Sequence, residues 1–206
     1  MTAIKICGIT RAEDALAAAH GGAQAIGLVF YAGSPRHVTA QQGAALMRVL
    51  PPFVSSVGLF VNAQADEVAR TVATARVDLL QFHGDEAPAY CRRFGVPYLK
   101  ALRVRPGVDL LQCARDYHDA KALLLDAFVE GTHGGTGATF DWALIPKNLP
   151  LPVVLSGGLT PANVTAAVKA VQPWAVDVSS GVEQAKGIKD AAKIAAFVTG
   201  VRNADV

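Results

Sequence analysis

The chain has 206 residues, 51% of them hydrophobic and 17% charged, a composition that supports a packed core and excludes a disordered chain. Its net charge is +2 with acids and bases interspersed, and no run of Lys or Arg offers a nucleic-acid surface. Three cysteines, Cys7, Cys91 and Cys113, with no CxxC pair, exclude a disulfide framework and point to a reducing compartment.

Short apolar runs alternate with amphipathic stretches along the whole chain. The first run, IKICG (residues 4–8), precedes an Ala-rich helical pattern over residues 11–22. Residues 15–35 carry no formal charge and invite comparison with a membrane span. They include His20, Gly21, Gly22 and Gln24 and change period midway, so a helix followed by a strand accounts for them better. The N-terminus lacks an apolar signal core with a small-residue cleavage site, and a cytoplasmic protein with no membrane partner is expected.

AIGLVF (25–30), SSVGLFV (55–61), LLQFH (79–83), YLKALRV (98–104), ALLLDAF (122–128), PVVLSG (152–157) and AVDVSSG (175–181) bring the strand set to eight. Helical patterns fill 63–76, 160–171 and 189–202, and the remaining connections are long enough to hold a helix. Thr160 ahead of Pro161 predicts a cap and a helix starting at the proline. Strands that alternate with helices pair in parallel. Eight such units predict an α/β fold, a (β/α)8 TIM barrel spanning residues 1–206 as a single domain. The rival is an open doubly wound sheet, which usually has fewer strands and a GxGxxG turn where this chain has CGIT.

In a barrel, chemistry gathers at the C-terminal ends of the strands. Side chains alternate faces, so Lys5 pairs with Cys7, Gln81 with His83, Leu124 with Asp126 and Asp177 with Ser179, each opposite an apolar face. The polar parity is expected to face the barrel mouth. Cys7 is a small buried hydrophobe on one reading; on the other it is a reactive thiol whose pKa Lys5 or His83 lowers. Asp126 interrupts an apolar strand, a costly position without a partner, and a semi-apolar mouth would raise its pKa and let it hold a proton.

Two Gly/Ser turns follow strands seven and eight, SGGLTP (156–161) and DVSSGVE (177–183). Their backbone N–H groups suit a phosphate, although glycines also simply make tight turns. GTHGGTG (131–137) is either a lid over the site or a plain connection. Arg36, after strand two, is a solvated surface residue or a bidentate holder of a carboxylate. The five histidines are scattered without ligand spacing, so no metal site is expected.

KICGIT, GLVF with SPRHV, GLFVN, LLQFHGDE, LLLDAF, GGTG followed by TFDW, LSGGLTPANV and VDVSSGVE occur in this order over nearly the whole chain. Together they resemble the phosphoribosylanthranilate isomerase family of tryptophan biosynthesis. The resemblance implies a (β/α)8 barrel and an Amadori rearrangement, an intramolecular aldose–ketose isomerisation of N-(5-phosphoribosyl)anthranilate. It makes Cys7 the general base and Asp126 the general acid. It sets Arg36 on the anthranilate carboxylate and His83 and Asp177 near the substrate. Gly157, Gly158, Ser179, Ser180 and Gly181 would hold the phosphate, and Gly134, Gly135, Thr136 and Gly137 would form the lid. Ala138 falls at a variable position and has no assigned role. The phosphorylated sugar–anthranilate substrate is the one partner implied, acting on a monomer or homodimer. No cofactor is expected, because oxidation at C2′ balances reduction at C1′.

Two alternatives stay open. A histidine-pathway phosphoribosyl aminoaldose isomerase would use a carboxylate base at the end of strand one and hold two phosphates; Cys7 and a single phosphate cradle speak against it. A non-catalytic phosphate-ligand binding module would need neither acid nor base.

Overall fold

A computed structural model describes residues 1–127 and 139–205. The eight expected strands are β1 (Ala3–Cys7), β2 (Ala25–Val29), β3 (Ser55–Phe60), β4 (Leu79–Phe82), β5 (Tyr98–Val104), β6 (Ala122–Ala127), β7 (Val153–Leu155) and β8 (Ala175–Val178). They pair in parallel in chain order, and β8 returns to β1 through Ala3↔Ala175 and Lys5↔Asp177, so the sheet is a closed barrel rather than an open doubly wound sheet. Among the described residues the helices are α1 (Ala12–His20), α2 (Ala40–Met47), α3 (Ala65–Ala75), α4 (Pro88–Cys91), α5 (Leu110–Asp116), α6 (Val164–Val171) and α7 (Ala191–Arg202). The uncharged stretch resolves into α1 followed by β2, and among the described residues no helix is long and apolar enough to cross a membrane.

Local chemistry sets the helix boundaries. Thr39 and Gln42 form a reciprocal capping box at the start of α2. Asp109 accepts the Gln112 N–H at 2.8 Å to start α5. Helix α4 has only four residues; Pro88 sits in its first turn, and Tyr90 packs edge-on against Phe82 at 5.8 Å. In α7, Ile194, Phe197, Val198 and Val201 form one buried stripe at helical spacing.

Two expected boundaries are corrected. Helix α6 begins at Val164, not at Pro161, and Asn163 rather than Thr160 ties its entry. Asn163 Oδ1 accepts the Thr160 N–H at 2.8 Å, and its Nδ2 donates to the Gly158 carbonyl at 3.0 Å. The preceding turn runs through Gly157 and Gly158 in left-handed backbone (φ 82 and 62), and residues 161–163 form a turn ahead of the helix. Helix α7 begins at Ala191, not at Lys189, because the Asp190 carboxylate caps Ala192 and Lys193. Lys189 belongs to a hairpin, β9 (Glu183–Ala185) with β10 (Ile188–Lys189), that helical periodicity did not reveal.

The strand parity sorts residues as expected. Outward-facing Ile4, Ile6, Ile26, Leu28, Leu80, Leu123 and Leu125 are fully buried, and such side chains contribute roughly 1.5–3 kcal/mol each. Inward-facing Val57, Leu99, Ala101, Leu124, Val154 and Ala175 form an apolar floor. Cys7, Val29, Leu59 and Val61 form a smaller apolar cluster towards the strand ends.

A charged group also sits on the outer apolar face. Lys100 on β5 is buried there, and its Nζ donates to Glu86 Oε2 at 2.9 Å and to the Gly84 carbonyl at 2.6 Å. Glu86 in turn accepts the N–H groups of Asn62 (2.7 Å) and Gly84 (2.9 Å). This network pins the chain just after β4, next to His83.

Candidate active site

Cys7 is the last residue of β1 and is 5% exposed. Across from it on β2 stands Gly27, its register partner. A Cβ at Gly27 would lie 2.6 Å from Cys7 Sγ and 3.1 Å from Lys5 Nζ, so the missing side chain is what lets thiol and ammonium share one space. Gly27→Ala is therefore expected to overpack this layer, costing about 1–3 kcal/mol of stability by thermal or denaturant unfolding and lowering turnover with it. Wild-type stability in that variant would show that the close fit has no consequence.

Lys5 sits against the Cys7 sulfur, and its Nζ donates to Asp177 Oδ1 at 2.8 Å. Asp177 Oδ2 lies 3.4 Å from Ser156 Oγ. Burial pushes the Cys7 thiol above its ordinary 9.0; the Lys5 ammonium works against that rise, and the Asp177 carboxylate adds to it. Of the two groups expected to tune the thiol, Lys5 is in place. His83 instead faces Asp126.

Asp126 is 4% exposed near the end of β6. Its Oδ1 accepts the Ala127 N–H at 2.9 Å, and its Oδ2 lies 3.1 Å from His83 Nε2. Gln81 Nε2 donates to His83 Nδ1 at 2.8 Å. That donor leaves the neutral imidazole with its proton on Nε2, aimed at Asp126. Gln81 Oε1 is buried with no hydrogen-bond partner among the described residues.

The turns after β7 and β8 abut. A Cβ at Gly181 would run into the Leu159 carbonyl oxygen, and one at Gly157 would lie 2.6 Å from Ala127 N and 3.0 Å from Asp126 Oδ1. Glycine is required at both close approaches. Among the described residues, no acceptor takes the N–H groups of Gly157, Gly158, Leu159, Ser180 or Gly181. Clustered unpaired donors of this kind suit an anion.

One cavity is lined by Cys7, Arg36, His83, Asp126, Asp177 and Ser179, together with Ser156 and Gln81. Gly157, Gly158, Ser180 and Gly181 are not among its lining residues; they form the adjoining turns. Gly134, Gly135, Thr136 and Gly137 lie outside the described residues.

Arg36 is 8% exposed and not solvated. Its Nε and Nη2 donate to Glu183 Oε1 and Oε2 at 2.7 and 2.8 Å. Burial alone would raise the Glu183 carboxyl, but hydrogen bonds from Arg36 and Lys189 outweigh it and hold Glu183 below its ordinary 4.5. Sequence reasoning assigned nothing to Glu183 or Lys189. Glu183 does lie inside the VDVSSGVE motif, and that placement was the available signal.

The family model for N-(5'-phosphoribosyl)anthranilate (PRA) isomerase matches residues 4–200. The N-(5'-phosphoribosyl)anthranilate isomerase of Nitrosospira multiformis is 58% identical over 198 residues, covering 96% of this chain and 95% of the relative. The crystal structure of phosphoribosyl anthranilate isomerase from Thermotoga maritima superposes with a TM-score of 0.90 at 38% identity, covering 98% of this chain and 99% of that one. A phosphoribosyl anthranilate isomerase in complex with reduced 1-(o-carboxyphenylamino)-1-deoxyribulose 5-phosphate superposes with a TM-score of 0.87 at 37% identity, covering 98% and 99%. With the match running through every strand of the barrel, this chain belongs to the N-(5'-phosphoribosyl)anthranilate isomerase family.

Proposed function

We propose that the chain opens the ribose ring of N-(5-phosphoribosyl)anthranilate with Asp126 as acid and removes the C2′ proton with Cys7 as base. It is an isomerase of tryptophan biosynthesis, and the product is 1-(2-carboxyphenylamino)-1-deoxyribulose 5-phosphate. The observation that supports these roles most directly is that a thiol and a carboxyl from β1 and β6 line one cavity beside a cluster of unpaired backbone donors.

The steps balance without an outside oxidant or reductant. The Asp126 carboxyl protonates the ring oxygen as the C1′–O bond breaks, and the anilino nitrogen supplies the electron pair of the new C1′=N bond. The Cys7 thiolate takes the proton from C2′, and that C–H pair becomes the C1′=C2′ bond of the enolamine. Loss of the O2′ proton and protonation at C1′ give the ketone. His83, hydrogen-bonded to Asp126 Oδ2, orients the acid and stabilises the carboxylate left behind. Gly157, Gly158, Ser179, Ser180 and Gly181 hold the phosphate, and Arg36 holds the anthranilate carboxylate. The three cysteines are free, in keeping with a cytoplasmic enzyme.

The test is turnover of freshly prepared substrate, followed as loss of anthranilate fluorescence, across a range of pH. The rate follows the product of two fractions, protonated carboxyl and thiolate. Whenever the thiol titrates above the carboxyl, the active pairing is the minority one, and its share falls about tenfold for each further unit of separation. Lys5→Met removes a cation that favours the thiolate, so the thiol titrates higher still. The plateau of kcat/KM should fall and its alkaline limb should move to higher pH, with Lys5→Arg closer to wild type. An alkaline limb that stays in place in Lys5→Met would remove Lys5 from the tuning of the base. Absence of turnover by the wild type would remove the whole assignment.

A further inference from the structure

We infer that Glu183, backed by Lys189, is a positioning residue that presets Arg36 to receive the substrate carboxylate and couples that contact to the phosphate turn. The inference rests on the proposed role of Arg36 and adds a residue pair with no assigned part in the reaction.

The geometry begins with the guanidinium. A planar five-donor fork has two usable edges. Glu183 occupies one of them, taking Nε at 2.7 Å and Nη2 at 2.8 Å. The other edge, Nη1 with the second Nη2 hydrogen, belongs to a residue that lines the cavity. Fixing one edge of a rigid plane fixes the direction of the other. The stem is held as well: a Cβ at Gly8 would lie 2.5 Å from Arg36 Cδ, so the arginine packs on backbone that only a glycine, here at φ 75, leaves open.

The charge count points the same way. Glu183 Oε1 also accepts from Lys189 Nζ at 2.8 Å, and the Lys189 side chain is fully buried. One carboxylate thus faces two buried cations, and an anion arriving at the open edge of Arg36 makes the balance even. Lys189 Nζ further donates to the Ser179 carbonyl at 3.1 Å and approaches Ser179 Oγ at 3.3 Å. Ser179 opens the turn proposed to hold the phosphate. The β9–β10 hairpin therefore holds both ends of the site through one shared acid. A purely structural staple between hairpin and barrel would have no stake in whether the ligand carries a carboxylate.

The experiment compares wild type with Glu183→Gln, the doubly neutralised Glu183→Gln/Lys189→Met, and Arg36→Met. Two probes are used: reduced 1-(o-carboxyphenylamino)-1-deoxyribulose 5-phosphate and its counterpart lacking the ring carboxylate. Glu183→Gln is expected to raise the Kd of the carboxylated probe and the substrate KM about tenfold, the order of the cost of immobilising one long side chain at binding, while kcat changes little. Binding of the decarboxylated probe should be unaffected. Glu183→Gln leaves two buried cations facing an uncharged amide and risks misfolding; the double variant removes one charge of each sign and serves as the folded control. If folded double variant binds both probes as wild type does, while Arg36→Met loses its preference for the carboxylated one, the inference about Glu183 is wrong and the role of Arg36 stands. If Arg36→Met keeps that preference, the reading of Arg36 fails, and the inference fails with it.

Discussion

Asp126→Asn should lower kcat by about 10²- to 10⁴-fold, the range a positioned general acid contributes, in a protein that remains folded. Asn has nearly the same shape, and its Oδ1 can keep the bond from Ala127 N. What it lacks is a transferable proton. The buried network can absorb the change, because the Asn amide can donate to His83 Nε2 if the ring proton moves to Nδ1. Gln81 then turns its now unpartnered Oε1 towards that proton. The variant should therefore melt close to wild type, and the loss should appear in kcat more than in KM. A kcat within tenfold of wild type, measured by fluorescence decay, would mean that the ring oxygen gets its proton elsewhere.

Cys7→Ala removes the other partner, and kcat/KM is expected to fall by a comparable factor of about 10²–10⁴. The loss of one buried sulfur costs little packing, so stability should change by only about 1 kcal/mol. The product analogue should bind within a few-fold of wild type, as the proposed role gives the thiol a proton to move and no part of the ligand to hold. Cys7→Ser separates the chemistry from the volume: the hydroxyl fits but is a far poorer base at neutral pH, and it should be nearly as slow as alanine. Full activity in both variants would make the sulfur a piece of core after all.

The barrel was legible because eight apolar runs of the right length recur between helical patterns, and the parity of Lys5 with Cys7 or Gln81 with His83 follows from backbone geometry alone. Short helices such as α4 were not. Four residues carry no periodicity, and what holds them is the packing of Tyr90 and Phe94 on Phe82, a tertiary fact. The hairpin was missed for a related reason. EQAKGIK reads as polar connection, and nothing local says that Glu183 and Lys189 turn inward and neutralise each other. The partners of the candidate acid and base were only half visible: Lys5 and His83 were both in view, but choosing which of them meets Cys7 requires the barrel to close.

The Lys100–Glu86 pair lies on the far side of the barrel wall from the cavity that Cys7 and Asp126 line, yet it anchors Gly84, the residue that directly follows His83. The imidazole is thus splinted from outside the cylinder. A change in that outer brace would be felt inside as a shifted imidazole beside Asp126, so a residue that never meets a ligand is built into the alignment of the candidate acid.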